Sequence, residues 1–157
     1  MSFFTDKSEG GHALNLYFAC SLTGGRQDEK AYGVIVSHLE GAGHQLPTAH
    51  LADPGVMELE KVTEADEIYA RDIRWIKDCN ALVSEVSTPS HGVGYEIAYA
   101  LGLSKPVLCC YREGVTVSKM ILGNDSSGLA IRSYQHEVEL RELLDQFIAE
   151  VLTEQGG

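Results

Sequence analysis

Residues 81–111 read ALVSEVSTPSHGVGYEIAYALGLSKPVLCCY, and this stretch decides the fold. It opens on an apolar run, Ala81–Val86, that stops at a Ser-Thr-Pro-Ser turn. Gly94–Leu103 then carries apolar residues at helical spacing, and Pro106–Tyr111 (PVLCCY) is a second continuous apolar run. Runs without polar alternation are what strands buried on both faces require, and a strand–helix–strand unit brings such strands together in parallel.

The same alternation extends in both directions. On the N-terminal side, Ala13–Cys20 (ALNLYFAC) reads as a strand, about Gln27 to Glu40 as an amphipathic helix, and His44–Pro47 as a weak strand. Residues 49–62 read as irregular around a Pro54-Gly55 turn. A helix follows from about Glu64 to Cys79, with Thr63 and Asp66 spaced like a capping box. On the C-terminal side, Val117–Leu122 is a short helix, Leu129–Tyr134 a last strand and Val138–Leu152 a closing helix. The expected architecture is α/β: a Rossmann-like or flavodoxin-like three-layer sandwich around a five-stranded parallel sheet. One domain fills residues 13–152, between an N-terminal tail (1–12) and a C-terminal tail (153–157). In such sheets ligands bind outside the carboxyl ends of the strands.

Composition narrows the partners. Asp plus Glu is 23 against 12 for Lys plus Arg, a formal charge of −11. That excludes a nucleic-acid polymer as the expected partner, because such binding rests on cations set against phosphates. A small anionic ligand would be met by backbone N–H groups and one or two arginines. There is no run of 18 apolar residues, so no membrane span or membrane partner is expected, and MSFFTDKSEGGH does not read as a signal peptide. Cys20, Cys79, Cys109 and Cys110 show no C-x-x-C spacing and read as reduced core thiols, which points to the cytoplasm or also the nucleus. The scattered histidines suggest neither a metal site nor a cofactor.

Several constellations could carry chemistry. Ser21-Leu22-Thr23-Gly24-Gly25-Arg26 follows the first strand, where paired glycines let a ligand approach the backbone or simply make a turn. Ser90, Gly92 and Gly94, before the helix that carries Glu96, could form a concave set of N–H donors suited to a phosphate monoester, or only a turn. Asp72 falls on the apolar stripe of its helix with Ile68, Trp75, Ile76 and Cys79. A carboxylate there is either bonded to a neighbouring arginine or a functional acid facing a cleft. Tyr17 sits mid-strand, in the core or pointing to the carboxyl-end crevice. Ser118 could cap the short helix that carries Met120. Two carboxylates beside a phosphate-type loop are machinery for breaking an N-glycosidic bond in a nucleotide.

The segments LYFACSLTGGR, RDIRWI, EVSTPSHGVGYEIAYAL and VSKMILG resemble the 2′-deoxynucleoside 5′-monophosphate N-glycosidases, or deoxynucleotide N-hydrolases, of the nucleoside 2-deoxyribosyltransferase superfamily. The resemblance runs from about Leu16 to Phe147. It implies hydrolysis of deoxynucleoside monophosphates without a cofactor. Glu96 matches the nucleophile that forms a covalent deoxyribosyl-phosphate intermediate, Asp72 the acid/base carboxylate, and Tyr17 the tyrosine that orients the nucleophile. Ser90 with the N–H groups of Gly92 and Gly94 matches the 5′-phosphate cradle. Ser21, Leu22, Gly24, Gly25 and Arg26 match the loop along the nucleotide, and Ile35 an aliphatic wall of the base pocket. Ser118 and Met120 match residues reaching the site from the second subunit of a homodimer. The chain departs from the pattern at Ala19, where a glycine is common, at Thr23, where a basic residue is common, and at His91, where an aliphatic one is. These departures bear on base preference. A ribonucleotide-cleaving branch and the deoxyribosyltransferases share the resemblance.

Overall fold

The computed structural model describes residues 12–22 and 28–156. Four parallel strands form one sheet in the order β1 (Leu16–Ala19), β2 (Ala81–Glu85), β3 (Val107–Arg112), β4 (Leu129–Tyr134). Between them run α1 (Glu29–Gly41), α2 (Val56–Val62), α3 (Ala65–Asp78), α4 (His91–Gly102) and the single turn α5 (Lys119–Leu122), and α6 (Glu137–Gln155) closes the chain.

Strand alternation sorts the helices into layers. Leu16, Phe18, Val83, Leu108 and Cys110 face α1 and α6, whose Ile35, Leu39, Leu140 and Leu144 complete that core. Tyr17, Ala19, Leu82, Val107 and Cys109 face the other way, against Ile76 of α3 and Val93, Ile97 and Ala100 of α4. All four cysteines are buried thiols.

The sheet has four strands, not the expected five. At His44–Pro47 only one parallel bridge forms, Asn15 to Gln45. Leu16 N–H donates to the Gln45 carbonyl at 2.8 Å, and Gln45 N–H to the Leu14 carbonyl at 2.8 Å. Pro47 has no N–H to extend the ladder. The next donor on β1, Phe18 N–H, is taken by the Thr48 hydroxyl at 2.9 Å, so a side chain replaces the missing strand. The bridge still shows that the chain leaves β1 on one side and returns at β2 on the other. The crevice at their carboxyl ends is where such sheets hold ligands.

Other boundaries moved. The segment read as irregular contains a 3₁₀ turn, Ala49–Ala52, and helix α2. The capping box at Thr63 does not form: Thr63 is the C-cap of α2, and α3 starts from Glu64 with no side-chain cap. Helix α4 begins at His91, three residues early, because Ser90 caps it, its hydroxyl accepting Val93 N–H at 3.3 Å. Helix α6 continues to Gln155, into the expected tail. Buried Asp28, just before α1, accepts from the Thr88 hydroxyl at 2.9 Å and pairs with Arg112, tying α1 to the ends of β2 and β3.

Candidate active site

Three elements converge beside the end of β1. The odd register of β1 turns Tyr17 toward α3 and α4, α3 supplies Asp72, and α4 supplies Glu96. Asp72 and Glu96 line one cavity of about 370 Å³ with Ser90, Gly92 and the apolar Leu22, Leu51, Met57 and Ile68. It therefore has an acidic side, a helix N-terminus at one end and an apolar wall.

Burial dominates the electrostatics. It pushes the Glu96 carboxyl up to about 7, with the charge of Asp72 adding to the rise. Hydrogen bonding from the Tyr17 hydroxyl draws it part of the way back. Burial, then the charges of Glu96 and Asp72, keep the Tyr17 phenol protonated far beyond its ordinary range, so it is a donor here. Burial raises Asp72 as well, and the adjacent Arg71 opposes that rise. Two desolvated acids of separate environment, with a phenol beside one, suit a nucleophile and a proton carrier.

The sequence reading passed over part of this site. Arg71 Nε donates to Asp72 Oδ1 at 2.8 Å and its Nη1 to Glu60 Oε1 at 3.2 Å. Asp72 is thus bonded to an arginine and also lines the cavity. Glu60 and Lys61 bring α2 to the cavity, and His50 Nε2 lies 3.5 Å from Glu60 Oε1. The Pro54-Gly55 turn was the only signal for this short helix. Glu85, at the end of β2, is also buried, and burial raises it to about 7. Its Oε1 accepts the Ser87 hydroxyl and, at 3.0 Å, Ser87 N–H.

The remaining expected residues divide. Ser21 is buried just after β1, and Leu22 lines the cavity. Gly24, Gly25 and Arg26 lie outside the described residues. Ile35 is not at the pocket: it is 0% exposed in the core under α1, on the opposite face of the sheet from Tyr17. Gly92 and Gly94 belong to the first turns of α4, not to a loop, and Gly94 N–H is spent on the Ser90 carbonyl at 3.2 Å. Ser118 and Met120 line a second cavity of about 630 Å³, which meets the first at Ser90. Ser118 Oγ caps α5, and Met120 is 85% exposed.

Residues 16–147 match the family model described as Nucleoside 2-deoxyribosyltransferase. The chain belongs to the nucleoside 2-deoxyribosyltransferase family. Within that family, it is 40% identical over 134 residues to a Methanosarcina mazei protein provisionally named 2′-deoxynucleoside 5′-phosphate N-hydrolase 1, covering 85% of this chain and 83% of that one. It is 38% identical over 138 residues to the 5-hydroxymethyl-dUMP N-hydrolase of Rattus norvegicus, covering 85% and 83%. Its fold is similar to that of the CMP N-glycosidase BcmB of Clostridium botulinum, with a TM-score of 0.62, 20% identity, and coverage of 83% of this chain and 97% of that one.

Proposed function

We propose that this member of the family hydrolyses the N-glycosidic bond of 2′-deoxynucleoside 5′-monophosphates to free base and 2-deoxyribose 5-phosphate. The carrying observation is that Asp72 and Glu96, from different helices, line one cavity that ends at Ser90 and the start of α4. The names of the curated relatives support the substrate class.

In this reading the 5′-phosphate sits at the α4 N-terminus, against the Ser90 hydroxyl and the N–H groups of the first turn, where the helix favours an anion. The base lies on the apolar wall near Ile68 and Met57. Glu96 attacks C1′ as the C1′–N bond breaks through an oxocarbenium-like state, and Asp72 delivers a proton to the departing base. Asp72 then takes a proton from water, which attacks C1′ of the glycosyl-enzyme and frees Glu96. The Tyr17 phenol holds Glu96 on its line of attack. A missing 2′-hydroxyl makes the cationic state easier to reach, which favours deoxynucleotides.

We further infer a homodimer in which Ser118 and Met120 of a second copy approach the phosphate. Supporting this, Met120 stands exposed beside the cavity that shares Ser90. A cytoplasmic location, or also a nuclear one, fits four buried thiols.

The test is incubation with matched deoxy- and ribonucleoside monophosphates, 5-hydroxymethyl-dUMP included, with released base measured by chromatography. Release from the deoxy set, together with loss of about 10³-fold or more in Glu96→Gln, supports the proposal. Release from ribonucleotides alone, or base exchange without hydrolysis, overturns it, as does a Glu96→Gln variant of near-native rate. Sedimentation of Met120→Glu against the parent tests the dimer.

A further inference from the structure

Arg71 and Asp72 are neighbours on α3, and successive helical side chains diverge by about 100°. The helix alone does not aim one at the other. The Arg71 guanidinium nevertheless turns back onto Asp72, with Nε 2.8 Å from Oδ1. Two further contacts hold it there. Glu60 Oε1, across the gap on α2, accepts from Nη1 at 3.2 Å. Trp75, one turn along α3, lies beneath the guanidinium, 5.0 Å from the ring centroid to Cζ. The clamp is largely shielded from water: the side chains of Arg71 and Asp72 are 20% exposed and that of Glu60 10%.

We propose that Arg71, clamped between Glu60 and Trp75, is the positioning residue for Asp72, keeping that carboxylate aimed into the cavity and making α2 part of the proton-handling machinery. The proposal rests on the reading of Asp72 as the acid/base group. Its geometry is specific to arginine, because a planar fork can meet two carboxylates and stack on an indole at once, whereas a lysine ammonium cannot. The charge is consistent with the role. Arg71 opposes the upward push on Tyr17, Asp72 and Glu96 alike. Among the described residues, the other titratable groups at the site are Cys20, just after β1, Glu60 and Lys61 of α2, His50 of the 3₁₀ turn, Tyr17 of β1 and Glu96 of α4.

The experiment uses the full chain and three variants, Arg71→Met, Arg71→Lys and Glu60→Gln, with thermal unfolding as the check on folding. Two readouts are taken. The first is kcat and KM on 5-hydroxymethyl-dUMP and the four common deoxynucleoside monophosphates. The second is the Asp72 carboxyl titration, followed by carbon NMR in the substrate-free protein. Arg71→Met is expected to lower kcat by about 10- to 100-fold with KM within about threefold, and to move the Asp72 midpoint upward. Arg71→Lys should restore only part of the rate, and Glu60→Gln should lower kcat in smaller degree at a KM within about threefold. The Glu60 charge itself raises Asp72, so this variant is judged on its kinetics alone. Folded Arg71→Met with kcat within about twofold of the parent and an unmoved Asp72 midpoint overturns the proposal. Should Arg71→Met not fold, Glu60→Gln decides by the split between kcat and KM, a kcat within about twofold of the parent being the overturning result. If the parent cleaves none of the nucleotides, the proposed function fails on its own. The Asp72 midpoint then judges the clamp separately, a rise supporting it and no rise overturning it.

Discussion

Gly92 faces Glu96 so closely that a Cβ at position 92 would stand 3.7 Å from Glu96 Oε1, and 3.9 Å from Ser90 Oγ. Both distances are ordinary contacts, so a methyl group fits and a longer side chain enters the space between the proposed phosphate and sugar positions. Gly92→Ala should therefore fold at least as well as the parent, gaining up to about 1 kcal/mol from helix propensity. Gly92→Leu should retain the fold and raise KM about 10-fold or more. Thermal melts and steady-state kinetics on the two variants check this.

Ser90 is expected to have two separable duties. Its hydroxyl caps α4 at Val93 N–H, and in the proposed reading it also touches the phosphate. Ser90→Ala should lose about 1 kcal/mol of stability along with substrate affinity. Aspartate caps as well as serine but sets a negative charge against the phosphate. Ser90→Asp should thus melt near the parent while KM rises further than in Ser90→Ala. If KM tracks stability in both variants, the phosphate contact is absent.

The acid limb of kcat/KM should fall near neutrality. A nucleophilic carboxylate must be ionised, and burial raises Glu96 to about 7 in the free protein. The rate constant should climb with pH as Glu96 ionises and fall again as Asp72, the proposed proton donor, loses its proton, since kcat/KM reports the free enzyme. A limb at the ordinary carboxylate pH, below 5, would mean that water enters the cavity and resolvates Glu96.

Glu85 has the opposite bearing, on stability alone. Its folded carboxyl lies at about 7 against 4.5 as the ordinary value, so the folded state binds its proton more tightly than the unfolded chain does. Stability from this group is present below about 4.5 and is lost as pH rises toward 7. Glu85→Gln keeps an acceptor for Ser87 without the ionisation. It should melt like the parent at pH 4.5 and above it at pH 8, by a difference on the order of 3 kcal/mol at most. Melting curves at the two pH values decide it, and equal curves at pH 8 would refute the assignment.

The parts of this molecule that follow from strand alternation were readable. PVLCCY is a strand because nothing in it seeks water, and Tyr17 reaches α3 and α4 because Leu16 and Phe18 need the other face. Asp72 is marked by the apolar stripe of its helix, and Glu96 by the glycine-bearing segment that precedes it. What escaped depends on contacts distant in sequence. The Thr48 hydroxyl that replaces a strand beside Phe18 has no local signature. Seven-residue α2 is too short to be stable by propensity, and packing against the 3₁₀ turn at Ala49–Ala52 supports it. Glu60 and Arg71 are eleven residues apart and meet only because α2 folds back on α3. Ile35 obeyed the helix period and was simply core.

Tyr17 and Glu96 lie buried together at the cavity, so its wall holds a desolvated acid before any ligand arrives. A visitor is rewarded for what it brings to that spot. The sugar phosphate produced by the proposed reaction is uncharged at its anomeric carbon, offers little there beyond its phosphate arm and should leave readily, so product inhibition should be weak. A five-membered ring amine bearing a phosphate arm would set a fixed positive charge between Asp72 and Glu96, as the transition state does only fleetingly. The pair of buried acids thus doubles as a design rule: tight inhibitors of this protein should be cationic at the anomeric position rather than larger at the base.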